Sequence, residues 1–353
     1  MTTNNNAQDI IKKAQVKYRT IILFLIVLPI SIFIVSFFLG KYGISPSEFS
    51  GVFMGKINDI FTGSPLKIDG SVETVIFKIR LPRLIAATLV GAALSVAGVA
   101  YQGMFKNPLV SPDILGASAG AGFGASLAIT LSLSLGGIQL YAFVFSIIAV
   151  MLVYFTSKIM KNNQILGLVL AGMLIGNLFS SFTSFLKFIA DPNDKLPSIT
   201  FWLMGGLSSI GYDEIVSAGI PIIVGIIPLI FLRWRINILT FGDEEARAMG
   251  INTKRLRFIV IFCATLITAA SVSISGMIGW IGLVVPHISR MIVGPNYKIL
   301  LPTTIAIGAS YLLIVDNLAR LLSTVEIPLG ILTSIVGAPF FLFLILHRRR
   351  ERQ

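Results

Sequence analysis

Gly242-Asp243-Glu244-Glu245-Ala246-Arg247-Ala248-Met249-Gly250 is a polar island between two long apolar runs, and the basic stretch Lys254-Arg255-Leu256-Arg257 follows it closely. Three acidic residues at its start complement the positive end of a short helix, and Gly250 suits the left-handed turn that ends one. Thr240 or Gly242 is placed to begin that helix, and Asn252 or Thr253 to cap the next. A short charged helix capped at both ends suits docking to a soluble partner. An ordinary solvated loop is the bland alternative.

Outward from the island, the chain is oily. Of its 353 residues, 55% are hydrophobic and 12% charged, with mean hydropathy +0.88. A soluble domain carries about twice that charged fraction. Apolar runs of membrane length recur from Ile21 to Leu346. They are too long and too little alternating for barrel strands, so the fold class is an all-α integral membrane protein. About ten spans are expected, at 21–39, 83–104, 113–132, 138–157, 165–188, 214–233, 257–275, 278–293, 299–318 and 328–346.

The net charge of +12 does not point to nucleic acid, because the charges are placed by topology. Lys12, Lys13, Lys17 and Arg19 precede the first run; Arg348, Arg349, Arg350 and Arg352 follow the last. Basic flanks stay inside, so both termini are expected in the cytoplasm of a multi-pass inner-membrane protein. The organisation is a tail over 1–20, one polytopic unit over 21–346 with its cytoplasmic loop at about 240–257, and a basic tail over 347–353. The first run lacks a cleavage site and reads as a retained span. Outside, Ser47 to Phe61 suits an amphipathic surface helix, and Asp191-Pro192-Asn193-Asp194 marks a turn in the loop 189–200.

Gly116, Gly120 and Gly124 form a smooth stripe for close helix packing rather than a phosphate loop, since no strand precedes them and no Lys-Ser/Thr follows. No Gly-x4-Gly-Lys-Ser/Thr occurs, so ATP chemistry and catalysis are not expected of this chain. Cys263 stands alone, which excludes an intrachain disulfide; His287 and His347 are the only histidines, and no metal or cofactor site is expected. Asp113, Asp316 and Glu326 lie toward span ends rather than clearly at the midplane, which lowers the case for an ion-coupled carrier. On the fifth span Asn177, Ser181 and Ser184 share a face; lining a translocation path and bonding between helices are equally good readings. A weak internal repeat pairs Arg80-Leu-Pro-Arg83 with Arg255-Leu-Arg257 five spans later; chance similarity explains it as well.

Several motifs together carry a resemblance. They are Arg80-Leu-Pro-Arg83, Gly91-Ala-Ala-Leu, Gln102-Gly-Met-Phe-Lys-Asn107-Pro108-Leu109 and Pro112-Asp-Ile-Leu-Gly116, then Phe201-Trp202-Leu-Met-Gly205-Gly206-Leu. Gly279-Trp-Ile-Gly282-Leu-Val-Val-Pro286-His287-Ile-Ser-Arg290, Asp316-Asn-Leu-Ala-Arg320, Glu326-Ile-Pro328-Leu-Gly330 and Gly337-Ala-Pro339-Phe340 complete the set. In this order they resemble the FecCD-type permease subunits of ABC importers for ferric siderophores, haem and cobalamin. The resemblance implies a fold of ten spans per subunit, a second permease copy, two cytoplasmic ATPase subunits that use the ATP, and an extracytoplasmic substrate-binding protein. It implies that Asp243, Glu244, Glu245, Ala246, Arg247, Met249 and Gly250 belong to the element that docks into the ATPase. It also implies that Arg80, Arg83 and Arg320 face outward to receive glutamates of the binding protein. It strengthens the path reading of Asn177, Ser181 and Ser184. A ferric siderophore is the leading cargo, with cobalamin or haem as alternatives. An ion-coupled secondary transporter and a membrane scaffold are rivals of other classes.

Overall fold

The computed structural model describes residues 23–62, 70–160 and 164–350. The N-terminal tail over 1–20, with Lys12, Lys13, Lys17 and Arg19, lies outside the described residues, as does Arg352. Helices account for nearly all the regular structure: α1 (Leu23–Phe38), α2 (Pro46–Thr62), α3 (Gly70–Glu73), α4 (Leu81–Phe105), α5 (Ala117–Thr130), α6 (Leu135–Ser157) and α7 (Gln164–Ile189). Then follow α8 (Lys195–Met204), α9 (Tyr212–Leu239), α10 (Asp243–Ala248), α11 (Thr253–Ser275), α12 (Ile281–Val293), α13 (Tyr297–Leu321) and α14 (Leu329–Arg350). A helix occupies each of the ten expected spans. Among the described residues six are long and apolar enough to cross a membrane: the continuous helix Gly70–Phe105, and α6, α7, α9, α11 and α13. The expected surface helix appears as α2.

The centre is α4, which is buried along almost its whole length. Its run of Ala86, Ala87, Ala92, Ala93, Ala97 and Ala100 keeps its girth small, and α9, α11, α12 and α13 pack directly around it. Small side chains let backbones approach and gain dispersion contacts where lipid offers no hydrophobic drive between helices. The glycine stripe works the same way. A Cβ on Gly120 would stand 2.5 Å from the Phe145 carbonyl, and one on Gly124 2.3 Å from that of Tyr141, so α5 lies flush on α6.

By contrast α6, α7 and α9 keep most of their apolar surface outside the bundle. Such helices need lipid or another protein against them. The sequence reading missed one element. Asp191 does form the turn, its Oδ1 accepting from the Asn193 and Asp194 amides at 2.8 and 3.2 Å. The chain then winds into α8 rather than continuing as loop, and Gly205 at φ 74° ends it.

Candidate functional site

At one end of the bundle α10 juts out as a single well-bounded turn and a half. Its C-terminus is closed by the Ile251 amide donating to the Ala246 carbonyl and the Gly250 amide to that of Arg247, both at 2.9 Å, with Gly250 at φ 77°. This double closure satisfies carbonyls that a six-residue helix would otherwise leave orphaned. Asn252 then caps α11, its Oδ1 accepting from the Arg255 amide at 3.0 Å. Of the two starts open to α10, Gly242 is the one used; Thr240 ends α9 instead.

One carboxylate fixes α10 to the bundle. Asp243 Oδ1 lies 2.6 Å from Nη2 of Arg257, whose side chain is buried, and 3.4 Å from Nζ of Lys106 beyond the end of α4. Partial burial opposes ionisation of Asp243, but the Arg257 and Lys106 cations outweigh it and hold the carboxyl below its ordinary value. Ala246 is buried beneath the turn, whereas Glu244, Glu245, Arg247, Met249 and Gly250 are exposed, as is Phe241 just before them. The site residues thus divide into an anchor, Asp243 and Ala246, and a presented face. Lys106 and Arg257 belong to the anchor; the sequence motifs include both but gave neither this role. The available signal was a basic residue at the end of α4 and another in the first turns of α11.

The sequence-marked arginines gather at the opposite end. A π-helical segment, Thr74–Arg80, joins α3 to α4, and its widened turn brings Arg80 and Arg83 onto the inward side. Arg83 Nε meets Asp316 Oδ1 at 2.9 Å, and its Nη1 meets Glu326 at 2.9 Å. Arg320 Nε stands 3.1 Å from Asp316 Oδ2. Arg80 donates to the carbonyls of Phe37 and Tyr42, and Arg320 Nη1 to that of Leu39 at 3.0 Å. Guanidinium groups thereby satisfy carbonyls at and just beyond the end of α1. In one respect this differs from the outward-facing arrangement expected. Arg80, Arg83 and Arg320 are only 4, 6 and 7% exposed, and each is already engaged within the chain. The physical reason is that Asp316 is wholly buried between two of them and draws them inward. Glu326, half exposed, covers Arg83 from outside. A cleft of about 510 Å³ opens beside this pair, lined by Ser132, Lys195, Trp202 and Ser275 among others.

From the middle of α7 toward its C-terminal end, Asn177, Ser181 and Ser184 are all exposed. Ser181 donates to the Asn177 carbonyl and Ser184 to that of Ser180, both at 2.9 Å. These hydroxyls are satisfied within their own helix, so they do not tie α7 to another helix of this chain. The stripe faces whatever lies beside the protomer.

Three relatives bear directly on this arrangement. The molybdate import system permease protein MolB of Haemophilus influenzae is 40% identical, over 90% of this chain and 92% of the relative. A protein of Helicobacter pylori named probable iron chelatin transport system permease protein is 41% identical, over 79% of this chain and 84% of its own length. A solved structure described as an inward-facing conformation of a metal-chelate type ABC transporter superimposes with a TM-score of 0.83 at 39% identity, over 94% of this chain and all of the other. Residues 24–347 match the FecCD transport family, and the chain belongs to that family of ABC permeases.

Proposed function

We propose that this permease subunit pairs with a second copy to form the membrane path of an ATP-driven importer for ferric siderophores. The observation that carries the reading is the division of α10 into a buried anchor and an exposed face. A stiff, capped helix pinned by Asp243 to the head of α11 and the C-terminal end of α4 transmits displacement into the core, which a floppy loop cannot. In this reading cytoplasmic ATPase subunits bind the face of Glu244, Glu245, Arg247 and Met249. ATP binding closes them, and the motion passes through α10 to rearrange the helices around α4.

Substrate released by an extracytoplasmic binding protein then crosses between two copies past Asn177, Ser181 and Ser184. Their exposed position on a membrane-length helix supports this, because polar groups facing lipid are costly unless a watery path or a polar neighbour lies beside them. The binding protein docks at the end that carries Arg80, Arg83 and Arg320. There Arg83 is reached through Glu326, and Arg80 and Arg320 shape the rim by holding the end of α1. In this reading both termini are cytoplasmic. The chain performs no catalysis and binds no cofactor; ATP is hydrolysed by the partner. Ion coupling is disfavoured because Asp316 is locked between two arginines.

Iron is the preferred cargo on the strength of the iron chelatin relative and the metal-chelate structure. A second reading, a bare oxyanion, is favoured by the molybdate relative, which matches more of the chain. The test is uptake into proteoliposomes holding this chain, its ATPase and its binding protein, with ferric siderophore, haem, cobalamin and molybdate compared with and without internal ATP. ATP-dependent uptake of the siderophore alone is expected. Uptake of molybdate alone favours the second reading, and uptake driven only by an ion gradient overturns both.

A further inference from the structure

On the lateral surface, α6 and α11 diverge to leave a groove of about 370 Å³ that is almost wholly apolar. Met151, Tyr154 and Phe155 form one wall; Phe258 and Phe262 form the other. Its depth is informative. On α6 the lining runs from Ile147 to Lys158, about 16 Å at 1.5 Å per residue. Half of a hydrocarbon core is about 15 Å. The groove therefore begins at the membrane surface on the side of α10 and stops near the midplane. A helix of a second copy crossing the whole bilayer would need a groove about twice as deep.

The mouth is cationic. Lys158 Nζ stands 4.6 Å from the Tyr154 ring centre and 5.2 Å from that of Phe155, which holds the ammonium at the rim. Lys254, exposed, lies one turn before Phe258 on the same face of α11. Among the described residues no carboxylate pairs with either lysine. One leaflet of apolar depth under two unpaired cations matches a single molecule with a long tail and an anionic head.

We propose that this groove is a binding site for one anionic glycerophospholipid, with an acyl chain between α6 and α11 and the phosphate between Lys158 and Lys254. The occupant comes from the leaflet on the α10 side. Because α11 begins just after α10 and carries Arg257, the lipid would brace the helix that receives force from α10. The site does not depend on which substrate is carried.

The test uses the full chain with its ATPase, bearing Phe262→Trp, in phosphatidylcholine vesicles. Brominated-tail phosphatidylglycerol or brominated-tail phosphatidylcholine is titrated in, and quenching is read against the parent chain. Phosphatidylglycerol is expected to quench at markedly lower mole fraction. Lys158→Gln should weaken that preference about fivefold, the effect of about 1 kcal/mol per surface lysine. Lys158→Arg should retain it. Equal quenching by the two lipids would mean ordinary surrounding lipid and would overturn the proposal. Quenching by neither would mean that protein covers the groove, and would overturn it too. Phe262 is exposed, so Phe262→Trp adds little strain, and co-purification of the variant with its ATPase verifies that it is folded.

Discussion

Arg257, at the head of α11, reaches back to Asp243, at the head of α10, and closes a contact of 2.6 Å between Nη2 and Oδ1. The contact ties the protruding helix to a central one. A second arginine–carboxylate pair, Arg83 with Asp316, sits at the head of α4 at the other end. The two most deeply buried helices, α4 and α11, run in opposite directions, and each is tied at its start by a buried arginine.

The first pair gives a pH dependence. Asp243 has its carboxyl held below the ordinary value by Arg257 and Lys106. A depressed carboxyl stabilises the folded state above its unfolded value and loses that contribution as pH falls through the folded one. The α10 anchor should therefore be intact at neutral pH and loosen only below about pH 4. Asp243→Asn should mimic the acid state at neutral pH, costing about 1 kcal/mol. Amide hydrogen exchange in α10 should then quicken about fivefold with little change elsewhere.

Charge reversal on the presented face should act differently. Although α10 loses two of the three charges that complement its N-terminus, Glu244→Lys with Glu245→Lys leaves the Asp243 anchor in place, so the permease should fold. Its affinity for the ATPase should fall about tenfold or more, as for charges at an interface. Titration of labelled ATPase onto the reconstituted permease measures this. Unchanged affinity and coupling would sink the assignment of α10 as the docking element.

Asp316 separates structure from ion transport. Asp316→Ala leaves Arg83 and Arg320 without their shared buried partner, and breaking such a pair costs about 3–5 kcal/mol. A large drop in thermal stability of the detergent-purified permease is expected. Asp316→Asn keeps the shape and should fold better than the alanine variant, with uptake still driven by ATP. Uptake that becomes dependent on an ion gradient would instead favour a carrier.

Glu326 covers Arg83 at the outer end. If a carboxylate of the binding protein reaches Arg83, it must compete with Glu326. Glu326→Gln should then tighten binding-protein affinity about fivefold, read by surface plasmon resonance on nanodisc-held permease. Weaker or unchanged affinity would place docking elsewhere on this end.

Within α7, replacing Ser181 and Ser184 by leucine removes hydroxyls that bond only to their own helix. Stability should change by less than about 1 kcal/mol. Uptake should fall at least about tenfold while ATPase activity of the complex persists, if these residues border the path.

The fold class and most of the element order are legible in the amino acids alone, because membrane helices must satisfy their own backbone and so advertise themselves as long apolar runs. So is α10, since acidic first-turn residues and Gly250 are local signals whose physics acts within one turn. The Gly120 and Gly124 stripe was equally legible, as glycine spacing alone puts one bare face on a helix. Where the charges go depends on how the helices pack. Nothing local reveals that Arg83 meets Asp316 and Glu326 more than two hundred residues away, or that Asp243 chooses Arg257 and Lys106. Those partners are set by which helices surround α4, and in a low-dielectric interior a buried guanidinium turns to whatever carboxylate or carbonyl the packing supplies. The inward turn of Arg80, Arg83 and Arg320 is therefore a property of the bundle, and no single segment of the chain contains it.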